Sequence, residues 1–86
     1  MEQVRITEKS VAVPNQPGHY RVMVSTLNPS DDWQAAFLKE AEKDTDGRRL
    51  ALKSDGSTIT YRLLEGKAPA ECEQMIQGFM DQVGKR

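Results

Sequence analysis

Apolar and polar positions along this chain alternate with two different periods, and the switches between them divide it into six elements. Val4 and Ile6 share one face of a β-rich opening segment, whereas Val11 and Val13 fall on the opposite face. The alternation therefore slips once, which predicts a bulge or bend near Glu8 to Ser10. Pro14-Asn15-Gln16-Pro17-Gly18 breaks the segment, since two prolines and a glycine so close together favour a loop. Tyr20, Val22 and Val24 then alternate with polar residues, the pattern of a half-buried strand. The short loop predicts an antiparallel hairpin between these two segments.

The period then changes to that of a helix. Asn28 is placed to cap and Pro29 to occupy the first helical position, with Asp31 favourably placed in the first turn. Trp33, Phe37 and Ala41 recur every four residues with Ala36 beside them, and Asp46-Gly47 is the expected end, with Gly47 in the left-handed cap position. Alternation returns at Leu50 and Leu52 and again at Ile59, Tyr61 and Leu63, with Asp55-Gly56 between them as an expected two-residue turn. That turn sets Leu52 opposite Ile59, Leu50 opposite Tyr61, Lys53 opposite Thr58 and Arg49 opposite Arg62. Pro69 opens the last helix, whose stripe reads Cys72, Met75, Ile76, Phe79 and Val83, and Gly84 is expected to stop it. The expected fold class is α+β, in the order β-β-α-β-β-α: a four-stranded, mostly antiparallel sheet with two helices packed on one face.

Composition sets bounds on this picture. At 86 residues the chain is expected to form one small domain over 1–86. Twelve Lys and Arg against thirteen Asp and Glu leave a formal charge of −1. Nucleic-acid binders usually carry a basic excess, so that role is not favoured, although a local basic face would still permit it. The single cysteine excludes an intrachain disulfide. No apolar run is long enough to span a membrane, and Met1-Glu2-Gln3-Val4-Arg5 lacks the order of a secretory signal. A cytoplasmic location without membrane association is the expectation.

Chemistry-bearing patterns are sparse. Cys72 and His19 are the only residues for a Cys-His pair, but Cys72 lies on an apolar stripe, where a thiol usually acts as a small core residue. Asp44-Thr45-Asp46-Gly47 resembles part of a calcium loop, yet Lys53 would then occupy the twelfth, bidentate position, which needs a carboxylate. Gly47, Gly56 and Gly66 are spaced as turn residues rather than as a phosphate loop. Asp31-Asp32 and the pair Glu71 and Glu73 sit at helix starts, where they complement the macrodipole. We therefore expect no catalytic set, no metal site and no cofactor.

Two surface features remain. Arg49, Lys53, Thr58, Thr60 and Arg62 are expected on one face of the second hairpin, with two arginines directly opposed. Like charges so placed are unfavourable unless a carboxylate or an anionic partner offsets them. The face is thus either an ordinary solvated one or a docking surface for an acidic protein or a nucleic-acid backbone. Met23, Leu27, Leu38, Leu64 and Met80 fall off the main stripes, with Leu38 and Met80 expected on the outer sides of their helices. Scattered apolar residues are normal on surfaces, whereas gathered together they would mark an interface such as that of a homodimer.

Pro14-Asn15-Gln16-Pro17-Gly18-His19-Tyr20-Arg21-Val22-Met23-Val24 resembles the opening of small phage-encoded anti-CRISPR proteins: a β-rich stretch, a Pro-x-x-Pro-Gly-x-Tyr turn and an alternating strand. The likeness stops before Trp33, and the matched residues account for a turn and a strand, so no functional residue is carried over. It implies a non-enzymatic inhibitor that binds a bacterial defence complex, often through acidic or aromatic surfaces. The leading expectation is accordingly a small protein-binding module, and the alternative is a nucleic-acid or anion-binding domain using the basic hairpin face.

Overall fold

The computed structural model describes residues 2–86. Its elements are β1 (Val11–Ala12), β2 (His19–Met23), α1 (Asp31–Glu42), α2 (Thr45–Arg49), β3 (Lys53–Asp55), β4 (Thr58–Arg62) and α3 (Pro69–Gly84). The strands form one antiparallel sheet in the order β1-β2-β4-β3. The α+β class and the expected element order hold, with one added helix, α2.

The core lies on one face of the sheet. Val22 of β2 pairs with Ile59 of β4, and Tyr20 with Tyr61. Val22, Ile59 and Tyr61 are buried beneath Trp33, Ala36 and Phe37 of α1 and Cys72, Ile76, Met80 and Val83 of α3. Both long helices therefore cover the same face, as the two apolar stripes require. The Tyr20 and Tyr61 rings stack with centroids 5.9 Å apart.

The predicted bulge is present. Ile6 bridges Val24, and the ladder resumes at Val11 opposite Arg21. Five positions on one strand thus span three on its neighbour, and residues between them loop out. The loop carries Ser10 onto α3, where its backbone N–H and its hydroxyl both donate to Glu73 Oε2, at 3.0 and 2.6 Å. Because the Ser10 proton goes to Glu73, the Tyr61 hydroxyl, 2.6 Å away, donates to Ser10 Oγ. Further along, Gln77 Oε1 accepts from the Ile6 N–H at 2.9 Å and Gln77 Nε2 donates to the Val4 carbonyl at 3.3 Å. Glu73 and Gln77 are one turn apart on α3, so they fasten the N-terminal segment along that flank.

The face that α3 buries differs from the one expected. Met80, expected on the outer side, is 1% exposed, because it lies four residues after Ile76 and three before Val83 and joins the core cluster with them and Val4. The fully buried stripe is Cys72, Ile76, Met80 and Val83, while Met75 and Phe79 are half-buried at its margin. Gly84 is the last residue of the helix rather than a stop before it, and Lys85 is the C-cap.

Three further corrections concern α1 and the second hairpin. The N-cap of α1 is Ser30, whose hydroxyl accepts from the Trp33 N–H at 3.1 Å, so Asn28 and Pro29 precede the helix. Gly47 does not close α1 in a left-handed conformation. Asp44 instead caps a second short helix, accepting from the Asp46 N–H at 3.3 Å, and Gly47 is buried within it. Leu50 enters the core from the end of that helix, and the backbone reverses at Ala51, with φ 49°, before β3 begins. Arg49 is therefore helical, and the strand expected from Leu50 starts only at Lys53. The turn is Gly56-Ser57, with φ 58° at Gly56, which suits a glycine-first hairpin turn. Lys53 accordingly pairs with Thr60 and not with Thr58.

Burial of Tyr61 has a measurable consequence. Desolvation pushes its phenol above the ordinary tyrosine range, and the neighbouring Cys72 and Glu73 charges add to the rise. The folded chain thus keeps this proton where the unfolded chain has lost it. The resulting stability is present below about pH 10 and disappears as pH rises through the folded value. Melting temperatures measured between roughly pH 9 and 11 are expected to fall more steeply for the wild type than for Tyr61→Phe. Parallel curves would show that Tyr61 contributes nothing to the pH dependence.

Candidate interaction surface

The face of the sheet away from the helices is uncovered. It presents His19, Arg21 and Met23 from β2, Thr58, Thr60 and Arg62 from β4, Lys53 and Asp55 from β3, and Val11 from β1. None of these residues is buried, and Val11 is 53% exposed. Pairing across the strands places Thr60 between Arg21 and Lys53, with Val11 beyond Arg21. Thr58 lies between Met23 and Asp55, and its hydroxyl donates to Met23 Sδ at 3.5 Å.

Four of the five residues expected on a common face are therefore there: Lys53, Thr58, Thr60 and Arg62. The fifth, Arg49, is displaced by α2. The residue opposite Arg62 is His19, not Arg49. Arg49 and Arg62 nevertheless line one groove of about 760 Å³, together with Arg48, Lys67, Asp46 and Glu65 over a floor of Ala51, Leu63 and Leu64. Arg48 and Lys67 were not foreseen at this site, because they come from α2 and from the link before α3 and meet the others only after folding.

The cations differ in how they are held. Arg48 donates to the Glu42 carbonyl at 2.8 Å and to Thr45 Oγ1 at 3.3 Å, and Lys67 stands 3.8 Å from Glu71. Among the described residues, no ion pair engages Arg21, Arg49, Lys53 or Arg62. The uncovered face and the groove hold six of the twelve cationic side chains and three of the thirteen carboxylates, leaving six cations and ten carboxylates elsewhere. A chain of formal charge −1 thus carries a locally basic surface.

Other residues considered for chemistry are dispersed. Cys72 is fully buried on the helical side, whereas His19 is on the uncovered side, so the sheet lies between them. Glu71 approaches Lys67, while Glu73 is bound to Ser10. Leu38 is half-buried against the core beside Ala41, Gly47 and Leu52. With Met80 covered, the two residues do not form the joint apolar surface expected of them. Among the described residues no cluster of His, Cys, Asp and Glu suits a metal ion, and no helix is long and apolar enough to cross a membrane. Comparison of the chain with protein-family models, curated proteins and solved structures finds no match.

Proposed function

We propose that this chain is a small non-enzymatic protein-binding module whose contact surface is the uncovered sheet face. The observation that carries the reading is that both long helices cover one side of the sheet, while the other side presents unpaired Arg21, Lys53 and Arg62 around Thr58 and Thr60. Among the described residues these cations form no internal ion pair, which leaves them available for a partner's carboxylates. A narrower proposal follows from the Pro14–Val24 resemblance: the partner is a bacterial defence complex, and the chain is its inhibitor from a phage or mobile element. The resemblance implies acidic or aromatic contact surfaces, and Asp31, Asp32 and Glu42 of α1 and Glu71 of α3 are exposed carboxylates on the helices, so the two sides must be tested separately.

Capture from a bacterial lysate at physiological salt separates them. The wild type is expected to retain a stoichiometric protein partner that Arg21→Glu with Lys53→Glu loses and that Asp31→Lys with Asp32→Lys keeps. Both pairs are exposed, so the fold is expected to survive either change. Loss through the Asp31/Asp32 variant alone, or no partner for the wild type, would defeat the sheet-face reading. A purified defence complex that keeps full activity with excess protein would defeat the inhibitor reading.

A further inference from the structure

We infer that the groove at the end of the sheet is a recognition site for a short acidic peptide segment of the partner, with Arg49 and Arg62 taking its carboxylates. The inference deepens the protein-binding reading and rests on it.

The groove is built by two stretches of chain distant in sequence: α2 with Ala51 after it, and the run from the end of β4 into the link before α3. Its volume of about 760 Å³ would admit a few side chains. Arg49 and Arg62 have no ion-pair partner among the described residues, although Asp46 and Glu65 line the same groove. Arg48, tied to Glu42 and Thr45, is a fixed positive charge on the wall. Placing cations together without internal neutralisation is unfavourable, and a bound carboxylate would relieve it through bidentate hydrogen bonds. Ala51, which also lines the groove, has φ 49°, a conformation that favours glycine and that a methyl group resists. Ala51, Leu63 and Leu64 form an apolar floor on which a partner's aliphatic stems can lie.

The charge pattern selects a peptide over a nucleic-acid strand. A phosphate backbone presents closely spaced negative charges and needs an unbroken run of cations. Here Asp46 and Glu65 interrupt the run, and the rest of the chain is rich in carboxylates. A peptide can place single carboxylates at Arg49 and Arg62 and neutral or basic residues beside Asp46 and Glu65.

Titration of capped hexaglutamate into isotopically labelled protein, followed by NMR, tests the site. The expected result is salt-sensitive shifts of the amides of residues 48–51 and 62–67, with binding about tenfold weaker in Arg49→Gln with Arg62→Gln. Absence of shifts there, or equal affinity in the variant, overturns the inference. So does stronger binding of a single-stranded oligonucleotide to the same amides. The Arg21/Lys53 lysate experiment reads the sheet face independently. If it succeeds while hexaglutamate leaves the groove unshifted, the groove inference fails and the protein-binding reading stands.

Discussion

Replacing Gly47 by alanine is expected to destabilise the domain by about 3 kcal/mol, more than alanine at any of the other described glycines. A Cβ at Gly47 would overlap the Ala41 carbonyl oxygen and stand 2.8 Å from its carbonyl carbon. Both obstacles are backbone, which cannot rotate aside as a side chain would. Relief requires α2 to move away from the end of α1. That movement would shift Leu50, which is fully buried, and would open the core. For a domain of this size the melting temperature is expected to fall by roughly 15 °C. Gly78 is the control: it lies within α3, is exposed and has nothing near its Cβ position. Gly78→Ala should stabilise by about 0.5–1 kcal/mol through helix propensity. Similar melting temperatures for the two variants would refute the steric account. Because α2 also carries Arg48 and Arg49, the same displacement should weaken any ligand of the groove.

Gly47 also marks where the sequence stops being legible. A glycine after an apolar helical stripe reads most simply as a left-handed cap, and only the approach of Ala41 reveals that its missing side chain is the requirement. The alternation of Leu50 and Leu52 suggests a longer strand, but Asp44 caps a helical turn that takes Arg49 out of the sheet. Displacing one arginine changes the candidate site from a flat face to a face with a groove at its end. Other parts were readable because one local rule sufficed. Thr58, Thr60 and Arg62 alternate with Ile59 and Tyr61, and two-residue periodicity puts them on opposite faces whatever the register. The slip between Ile6 and Val11 announced the bulge. Met80 escaped for a different reason: it lies four residues after Ile76 and three before Val83, so helical spacing puts it on the buried stripe, but the stripe drawn through Met75 and Phe79 is rotated toward what proves to be its half-buried margin.

Trp33→Ala is expected to be the most damaging truncation in the core. Trp33 is fully buried and stacks on Phe37 with ring centroids 5.2 Å apart. Removing a buried indole costs about 3–5 kcal/mol, against a total stability of about 5–10 kcal/mol for a domain of this size. The variant should therefore keep only about half of that stability, and its urea midpoint should fall by about half. Trp33→Phe should behave differently, for a reason other than size. Trp33 Nε1 is buried and finds no hydrogen-bond partner among the described residues. An unsatisfied buried donor costs about 1–3 kcal/mol, and phenylalanine removes it while keeping a ring against Phe37. That gain offsets much of the lost packing, so the net cost of Trp33→Phe should be about 1 kcal/mol or less. Urea unfolding followed by far-ultraviolet circular dichroism compares both variants without relying on tryptophan fluorescence. A Trp33→Phe midpoint close to that of Trp33→Ala would mean that Nε1 is satisfied in solution and that the indole is held by more than its packing.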